Sequence, residues 1–436
     1  MMFKIPGSRL LAPRSGEEHT VFYGWVMVAA LFLIMFFSLG PWYSFGVFLP
    51  YLIGDLETSR ALAAGVISVA WIPYGVMGIV AGVMLDKRGP RAVTATGIFI
   101  IGLAYLLTSQ ASAVWHLYLF LGVTLGLGMG VTWVVPTATV SKWFERRRGM
   151  ALGILLASVG TGQMIMPPLA QFLIGHWSWQ TAYIVLGCLI WVGALPLTLL
   201  LRRSPEDVGL LPDGAKENAR ISDLGPVEGD AGGGSWTARQ AIRTRPFWLL
   251  VGIWLFLPVS IQMIIVHVVG HARDAGIPPE LAATLLSVMG LSLFVGRLVI
   301  GGVSDRLGSR PTYIGCLLLQ LTALLGFIWV RDLWAFYVLM AMFGFSVGGS
   351  TPVYTKIAAE LFGRGSTGAI IGLVSFAWSL GSATGPWLAG RMFDTTGSYS
   401  LAFAAGAALV ALALVLVLLL HPPPQNTAVT GTQAQA

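Results

Sequence analysis

The chain has 436 residues, of which 56% are hydrophobic and only 10% charged, and its mean hydropathy is +0.78. A soluble domain carries about 25% charged residues, so this composition excludes an ordinary soluble protein and predicts a chain that lies in lipid. The net charge of +7 does not indicate a nucleic-acid partner, because the cations follow a membrane topology. The two cysteines lie far apart in apolar runs and suggest neither a disulfide framework nor a metal site, and we expect no cofactor.

The predicted elements are apolar segments that recur along the whole chain. The first 20 residues are polar and lack the apolar core and cleavage site of a signal peptide. Each later segment approaches or exceeds the roughly 20 residues that cross a bilayer. They are predicted near 21–53, 60–85, 91–111, 114–141, 147–175, 178–201, 246–271, 279–305, 310–331, 333–361, 366–391 and 398–420. The sequence therefore predicts an all-α membrane protein with twelve transmembrane helices.

A hydrophilic stretch divides these helices into two sets. Residues 202–245 hold most of the interior charge and the run AGGGS, which is typical of a linker. We therefore expect one six-helix bundle in 1–201 and a second in 246–420. The remaining residues, 421–436, are rich in Pro and Thr and are predicted to be disordered.

The positions of the cations predict the orientation in the membrane. With the N-terminus inside, 21 of the 26 Lys and Arg residues lie on the cytoplasmic side, and Arg297 lies within a helix. The opposite side holds only Arg60, Arg273, Arg331 and Arg391. This bias follows the positive-inside rule and predicts that both termini are cytoplasmic. The short termini and linker favour a multi-pass protein of a bacterial inner membrane.

A ten-residue segment recurs in the two halves. GVMLDKRGPR at 82–91 reappears as GGVSDRLGSR at 301–310, and glycines and a proline elsewhere match at the same interval of 219 residues. Such a repeat indicates two homologous halves that can rock to give alternating access. The first copy resembles the loop motif of the major facilitator superfamily, in which close helix packing and charge pairing latch one conformation. The residues expected to form this latch are Gly82, Asp86, Arg91, Asp305 and Arg310.

Three further segments resemble one branch of that superfamily. KWFERRRGMALG at 142–153 is similar to the motif that opens the fifth helix of monocarboxylate transporters and of the related oxalate/formate exchangers. The sequence YGW at 23–25 is a shorter form of the first motif of the monocarboxylate family, and RSPEDVGLLPDG at 203–214 resembles its bacterial members. The resemblance covers nearly the whole chain. It implies a major facilitator fold of two pseudo-symmetric bundles, and a monomer that transports small monocarboxylates such as lactate or pyruvate.

Arg297 is the most informative single residue. It lies eight positions before Asp305, so about 12 Å of helical rise separates it from the membrane boundary. A cation at that depth is costly on a lipid face, so we expect Arg297 to face a watery cavity. Its planar guanidinium can donate two parallel hydrogen bonds to a carboxylate. The resemblance implies that this arginine binds the substrate anion. The alternative is an arginine satisfied by backbone carbonyls at a helix contact.

Four aromatic residues are further candidates for the cavity, although each could equally serve helix packing. Trp133 and Tyr354 align with tyrosines of related transporters, and Trp378 stands where oxalate exchangers carry a lysine. Tyr43 stands near the lysine of animal monocarboxylate transporters, and Leu293 replaces their eighth-helix aspartate. These departures place the animal scheme of proton coupling in doubt and favour monoanions over dianions.

The acids and histidines limit the remaining functions. All 19 Asp and Glu lie in loops or at helix ends, which disfavours export of cationic drugs, and the scarcity of Asn disfavours a sugar site. His267 and His271 lie one turn apart without an apparent third metal ligand, so we interpret them as interfacial or at a cavity mouth. His267 is the candidate proton site, since an unperturbed histidine has a pKa of about 6.5. Proton symport, exchange and uniport all stay open.

Other functional classes fit the sequence less well than transport of monocarboxylates. An oxalate/formate-type exchanger of dianions is the alternative transporter, but it would want two intramembrane cations and only Arg297 is present. An intramembrane enzyme would need a nucleophile beside a base or a metal cluster, so we expect no enzyme. A membrane sensor fits the fold but has no signalling domain.

Overall fold

Helices dominate the structure, a computed structural model that describes residues 22–213, 238–362 and 367–420. The predictions for the N-terminal 20 residues, for most of the linker and for the tail lie outside these residues. In the described part, nine helical stretches are long and apolar enough to span a membrane. Arg60–Thr108 comprises two of the predicted helices, and Ser309–Phe327 and Thr367–Thr396 are two more. The predicted all-α fold class is confirmed.

The helices agree with the predicted segments to within a few residues. In chain order they are α1 Tyr23–Asp55, α2 60–88, α3 90–108, α4 Val114–Trp143, α5 Arg148–His176, α6 Trp179–Leu200, α7 Arg245–Asp274, α8 Pro279–Leu307, α9 Ser309–Phe327, α10 Leu333–Phe362, α11 Thr367–Thr396 and α12 Ser400–Leu418. The largest difference is at α11, which continues past the predicted end near 391 until Gly397 takes a positive φ of 70°.

Several helix boundaries have local causes in the sequence. The Ser59 hydroxyl accepts the Leu62 N–H at 3.2 Å and so caps α2, and Ser178 caps α6 in the same way. Pro41 lacks an N–H donor, and α1 bends just after it, at Ser44. The serine caps and the bend after Pro41 therefore set where helices begin or bend within apolar sequence.

The repeated motif forms the same turn in both halves. Gly89 separates α2 from α3 with φ 77° and ψ 167°, and Gly308 separates α8 from α9 with φ 88° and ψ 158°. This region of backbone conformation is essentially restricted to glycine. The two glycines are separated by the same interval as Asp86 and Asp305, so the sequence repeat corresponds to a structural repeat.

The lateral surface of the bundle is apolar. Val192 and Trp329 are 75% and 74% exposed, and Ile79 and Leu298 are also largely exposed. Exposure of such a surface to water would be unfavourable, whereas in a bilayer it contacts lipid tails. A helix also suits a bilayer because its backbone N–H and C=O groups are paired within the helix. The structure is therefore that of a multi-pass membrane protein.

The two halves touch through α5 and α8 near one end of the bundle, and two glycines of these helices have no described neighbour toward the other end. We call the end that carries Arg60 the Arg60 end, and the end at which α6 finishes and α7 begins the linker end. A Cβ on Gly160 of α5 would lie 2.7 Å from the carbonyl oxygen of Gly290 in α8, so these helices touch. Nearer the linker end of the same helices, a Cβ on Gly153 or Gly301 would meet no described atom within 4 Å. The interface between α5 and α8 therefore opens toward the linker end.

Candidate functional site

Arg297 lies where α8 of the second half meets α5 of the first. Its Nη1 donates a hydrogen bond of 2.7 Å to the main-chain carbonyl of Leu156. This is the kind of contact that the alternative, structural interpretation of Arg297 expected. A guanidinium has five N–H donors. The single bond to the Leu156 carbonyl therefore leaves the other N–H groups able to bind a carboxylate. Arg297 is only partly buried.

An aromatic cluster of the first half lies close to this arginine. The Tyr43 hydroxyl is close enough to the Arg297 guanidinium to interact with it electrostatically, and Tyr74 is similarly close to Tyr43. Trp71 packs edge-on against Trp42 and Tyr74, with ring centroids 5.5 and 4.8 Å apart. The structure thus places Tyr43 near Arg297 and adds two α2 residues that the sequence analysis missed, and the role of Tyr43 in the cavity stays a prediction.

A signal for the missed α2 residues was present in the sequence. Trp71 and Tyr74 are three positions apart, which places both on one face of a helix. Trp71 also has a buried indole N–H for which the described part of the chain offers no hydrogen-bond partner. An unpaired buried donor is costly, so this N–H is a further group that a polar ligand could satisfy.

The second half contributes a separate aromatic cluster. Trp254 stacks on Tyr354 with a centroid distance of 4.2 Å and packs against Trp378 at 5.1 Å. The structure therefore brings Tyr354 and Trp378 together through a residue that the sequence analysis did not single out. Tyr354 is only 1% exposed, so the expectation that it lines an open cavity is not met in this conformation, because Trp254 covers its ring.

Trp133 is the remaining aromatic candidate. It is partly buried and packs against the hydrophobic core. Within the described residues, no ring or hydrogen-bond contact connects its side chain to Arg297. The role of Trp133 in the cavity therefore stays a prediction.

The two motif aspartates form equivalent ion pairs, each within its own half. Asp86 lies 3.5 Å from Lys142 of α4, and Asp305 lies 2.6 Å from Lys356 of α10. The guanidinium of Arg310 donates to the main-chain carbonyl of Leu418. Each of these contacts lies within one half, and the role of the motif as a latch between the halves stays a prediction.

Among the described residues, Gly82 does not lie at a tight helix contact, and the packing expected of it stays a prediction. A Cβ there would approach only Val134, at 4.0 Å. The second motif glycine, Gly301, has no described atom within that distance of its hypothetical Cβ. Both glycines lie toward the linker end of their helices. Arg91 is exposed there.

The Arg60 end is closed by a network centred on Arg60. Its guanidinium pairs with both carboxylate oxygens of Asp274, at 2.7 and 2.9 Å, and donates to the Tyr399 hydroxyl at 2.7 Å. It also lies over the Phe393 ring, 3.7 Å from the centroid. Asp394 accepts the first two N–H groups of α2 at 3.1 and 2.9 Å. Arg60 belongs to the first half and these partners to the second, so the network joins the halves.

Sequence reasoning missed this network. The sequence shows only separate charges at helix ends in Arg60, Asp274 and Asp394. These residues could have been noticed because few charged residues lie on the side of the membrane to which Arg60 was assigned. Opposite charges in a sparsely charged region are candidates for pairing, but the sequence does not show which helix ends meet.

His267 is completely buried rather than placed at a cavity mouth, so that expectation is wrong. Its Nε2 lies 2.8 Å from the Pro386 carbonyl and its Nδ1 lies 3.1 Å from the Tyr399 hydroxyl. A carbonyl can only accept, so Nε2 carries the proton and Nδ1 accepts from Tyr399. His271 contacts the Phe327 carbonyl instead, at 3.1 Å. The two histidines therefore have separate partners, and no group of three metal-ligand side chains occurs among the described residues.

Comparisons with known proteins agree with this architecture. The sequence profile of the Major Facilitator Superfamily matches residues 31–269 and 255–435. Monocarboxylate transporter 13 of Bos taurus is 32% identical over 412 residues, which cover 92% of this chain and 90% of that protein. Monocarboxylate transporter 11 of Homo sapiens is 29% identical over 405 residues, with coverages of 89% and 81%.

One solved structure is similar in fold. It is a bacterial homologue of the human lysosomal transporter Spinster, in an inward-facing and occupied conformation. It superposes with a TM-score of 0.72 over 92% of this chain and 97% of that chain, at 15% sequence identity. At this identity the likeness concerns the fold alone.

Proposed function

Because the chain belongs to the major facilitator superfamily, and within it to the monocarboxylate transporter family, we propose that it carries small organic monocarboxylates across a membrane by alternating access. The family consists of transporters and not of enzymes. The substrates are lactate- or pyruvate-like anions. The observation that carries this proposal is Arg297, a cation inside a membrane helix at the contact between the two halves.

The position of Arg297 suits a ligand that must act on both halves. A ligand shifts a conformational equilibrium only if it interacts differently with the two states. A carboxylate on Arg297 of α8 would lie close to Leu156 of α5 and to Tyr43 of α1. It would bind the Arg297 N–H donors that the Leu156 carbonyl leaves free, so binding would add to a contact that joins the halves.

The composition around the second aromatic cluster favours monoanions. Trp254, Tyr354 and Trp378 pack together at this point, and oxalate exchangers carry a lysine at the position of Trp378. A second substrate carboxylate would lie in the cavity without a partner, which costs several kcal/mol. An oxalate/formate-type exchanger therefore remains the second candidate, and no contact in the structure favours it.

The charge distribution supports a cytoplasmic linker and cytoplasmic termini. The linker end is the side to which the positive-inside rule assigns 21 of the 26 cations. It is also the end toward which α5 and α8 separate. The conformation is then inward-open, with the Arg60 network facing the periplasm of a bacterial inner membrane, and the protein acts as a monomer.

For energy coupling we propose His267 as the proton site. The acids of the described helices lie at helix ends, as the sequence analysis expected, whereas His267 is buried beneath the Arg60 network. Because Tyr399 joins His267 to Arg60, opening of the Arg60 end would expose the imidazole to the periplasm. Binding and release of a proton would then alternate with the conformation.

The proposal is tested by flux measurements in reconstituted vesicles. Wild-type protein is expected to accumulate labelled lactate or pyruvate above the level of protein-free vesicles, and excess unlabelled monocarboxylate is expected to compete. Tighter binding of oxalate than of any small monocarboxylate would favour the exchanger. If a panel of monocarboxylates and dicarboxylates produces neither flux nor binding, the proposed substrate class is wrong.

A further inference from the structure

A basic pocket lies at the linker end of the first half, away from Arg297. It has a volume of about 460 Å³ and lies between the turn that joins α2 to α3 and the segment that follows α6. Its lining is dominated by cationic side chains, with one carboxylate. The charged lining residues are Lys87, Arg88, Arg91, Arg202, Arg203 and Asp207.

The walls of this basic pocket are held in place by backbone contacts. On one side, Gly89 takes its positive φ and Pro90 is buried. On the other side, Leu201 is 1% exposed and anchors the segment after α6. The Arg203 guanidinium donates to the main-chain carbonyl of Asp86 and so ties the two walls together. The cations are therefore arranged by the fold and are not a mobile run of charge.

Most of these cations have no anionic partner among the described residues. In the described part of the chain, no ion pair or hydrogen bond engages the side chains of Lys87, Arg88, Arg91 or Arg202. Like charges around one concave space repel each other and raise its positive potential, which an anion would relieve. Arginine forks bind phosphate oxygens particularly well because they can form two parallel hydrogen bonds. We propose that this pocket binds a phosphate group, supplied by the headgroup of an anionic membrane lipid.

The location favours a lipid as the source of the phosphate. The pocket surrounds the points where α2 ends, α3 begins and α6 ends, which is the level of the lipid headgroups. Val83, in the last turns of α2, is 54% exposed, so an apolar helix face for the acyl chains adjoins the pocket. Basic pockets between helices at a membrane surface are suited to anionic headgroups.

The test is lipid binding by the purified full-length protein, measured by native mass spectrometry. The probes are phosphatidylglycerol and phosphatidylcholine, each with and without excess inorganic phosphate or glycerol phosphate. Wild-type protein is expected to retain phosphatidylglycerol in preference to phosphatidylcholine. The double variant Arg88→Gln/Arg202→Gln removes one cation from each wall and is expected to bind phosphatidylglycerol about tenfold more weakly. Arg88→Lys/Arg202→Lys, which keeps the charge, should retain most of the binding.

The second half supplies a matched control. Arg306 follows the second motif aspartate as Lys87 follows the first, and it is exposed. Arg306→Gln is expected to leave phosphatidylglycerol binding unchanged. Displacement of the lipid by soluble phosphate would support the phosphate site but overturn the lipid as its source. If the double Gln variant keeps its thermal stability and binds phosphatidylglycerol as wild type does, the pocket is not a phosphate site.

Discussion

Arg60, Tyr399 and His267 lie in one chain of hydrogen bonds whose direction follows from the donors. Arg60 donates to the Tyr399 oxygen, Tyr399 donates to His267 Nδ1, and His267 Nε2 donates to the Pro386 carbonyl. The Tyr399 hydroxyl has Nδ1 as its acceptor only while the imidazole is neutral. A proton on Nδ1 would remove the acceptor of the Tyr399 hydroxyl and would place a second positive charge near Arg60.

This chain leads to a prediction for His267→Gln. The variant lacks the imidazole that we propose as the proton site, so we expect it to lose uptake driven by an imposed pH gradient. Downhill flux of substrate should persist, because Arg297 is unchanged. His271→Gln is the matched control, since His271 contacts the Phe327 carbonyl instead. Full gradient-driven accumulation in His267→Gln would remove His267 from the mechanism, and a wild type that ignores the gradient would favour exchange or uniport.

Trp378 permits a prediction about substrate charge. Trp378→Lys adds a cation to the aromatic cluster of the second half, where Trp378 contacts Trp254. We expect this variant to gain affinity for oxalate, because the second carboxylate acquires a partner. Trp378→Phe keeps an aromatic ring and controls for lost packing. Equal oxalate binding by the Lys and Phe variants would contradict the proposed reason for monoanion selectivity.

Among the structural elements, the two motif turns depend on glycine in both halves. Gly89→Ala and Gly308→Ala are each expected to destabilise the protein by about 1–3 kcal/mol, because their backbone angles disfavour a side chain. Gly149→Ala is the control, since Gly149 lies in α5 and a Cβ there would meet no described atom within 4 Å. Thermal unfolding in detergent measures all three. Equal melting temperatures for Gly89→Ala and Gly149→Ala would show that the turn is not strained by a side chain.

The contacts of α2 with α7 and α11 predict what opens the Arg60 end. Arg60→Ala removes the pair with Asp274 and the contacts with Phe393 and Tyr399. We expect the population to shift toward a conformation in which this end is open. Spin labels at Ser112 of the first half and Thr395 of the second, both exposed, should report longer distances by electron paramagnetic resonance.

Arg331→Ala provides the control for this experiment, since Arg331 is an exposed cation assigned to the same side of the membrane. Its distance distribution should match that of wild type. If Arg60→Ala also leaves the distribution unchanged, the Arg60 network does not hold this end closed. If the labelled Arg60→Ala protein does not survive purification, Arg60→Lys replaces it in the same experiment. This variant keeps one contact to Asp274 and should shift the population less.

At the scale of the whole molecule, the features set by the bilayer were predictable from sequence. Lipid requires continuous apolar helices, so hydropathy located them to within a few residues, and the sequence repeat indicated two homologous halves, whose equivalent turns lie at Gly89 and Gly308. Arg297 stood out because a cation within an apolar run is costly. The burial of His267 and Tyr354 and the partners of Arg60 were not predictable. They depend on which helix ends meet across the two halves, and that arrangement differs between the states of an alternating-access protein.

The central claim is that Arg297 binds the substrate carboxylate, and substrate binding to purified Arg297 variants tests it most directly. A thermal-shift titration is suitable, because a ligand that binds only the folded state raises its melting temperature. Arg297→Ala is expected to abolish the shift caused by lactate or by any other monocarboxylate that stabilises wild type. Arg297→Lys should weaken it strongly, since lysine cannot reproduce the two parallel hydrogen bonds, while Arg331→Ala should behave as wild type. If Arg297→Ala is folded and binds these acids with near-normal affinity, Arg297 is a structural residue that holds the Leu156 carbonyl, and the proposed binding site is wrong.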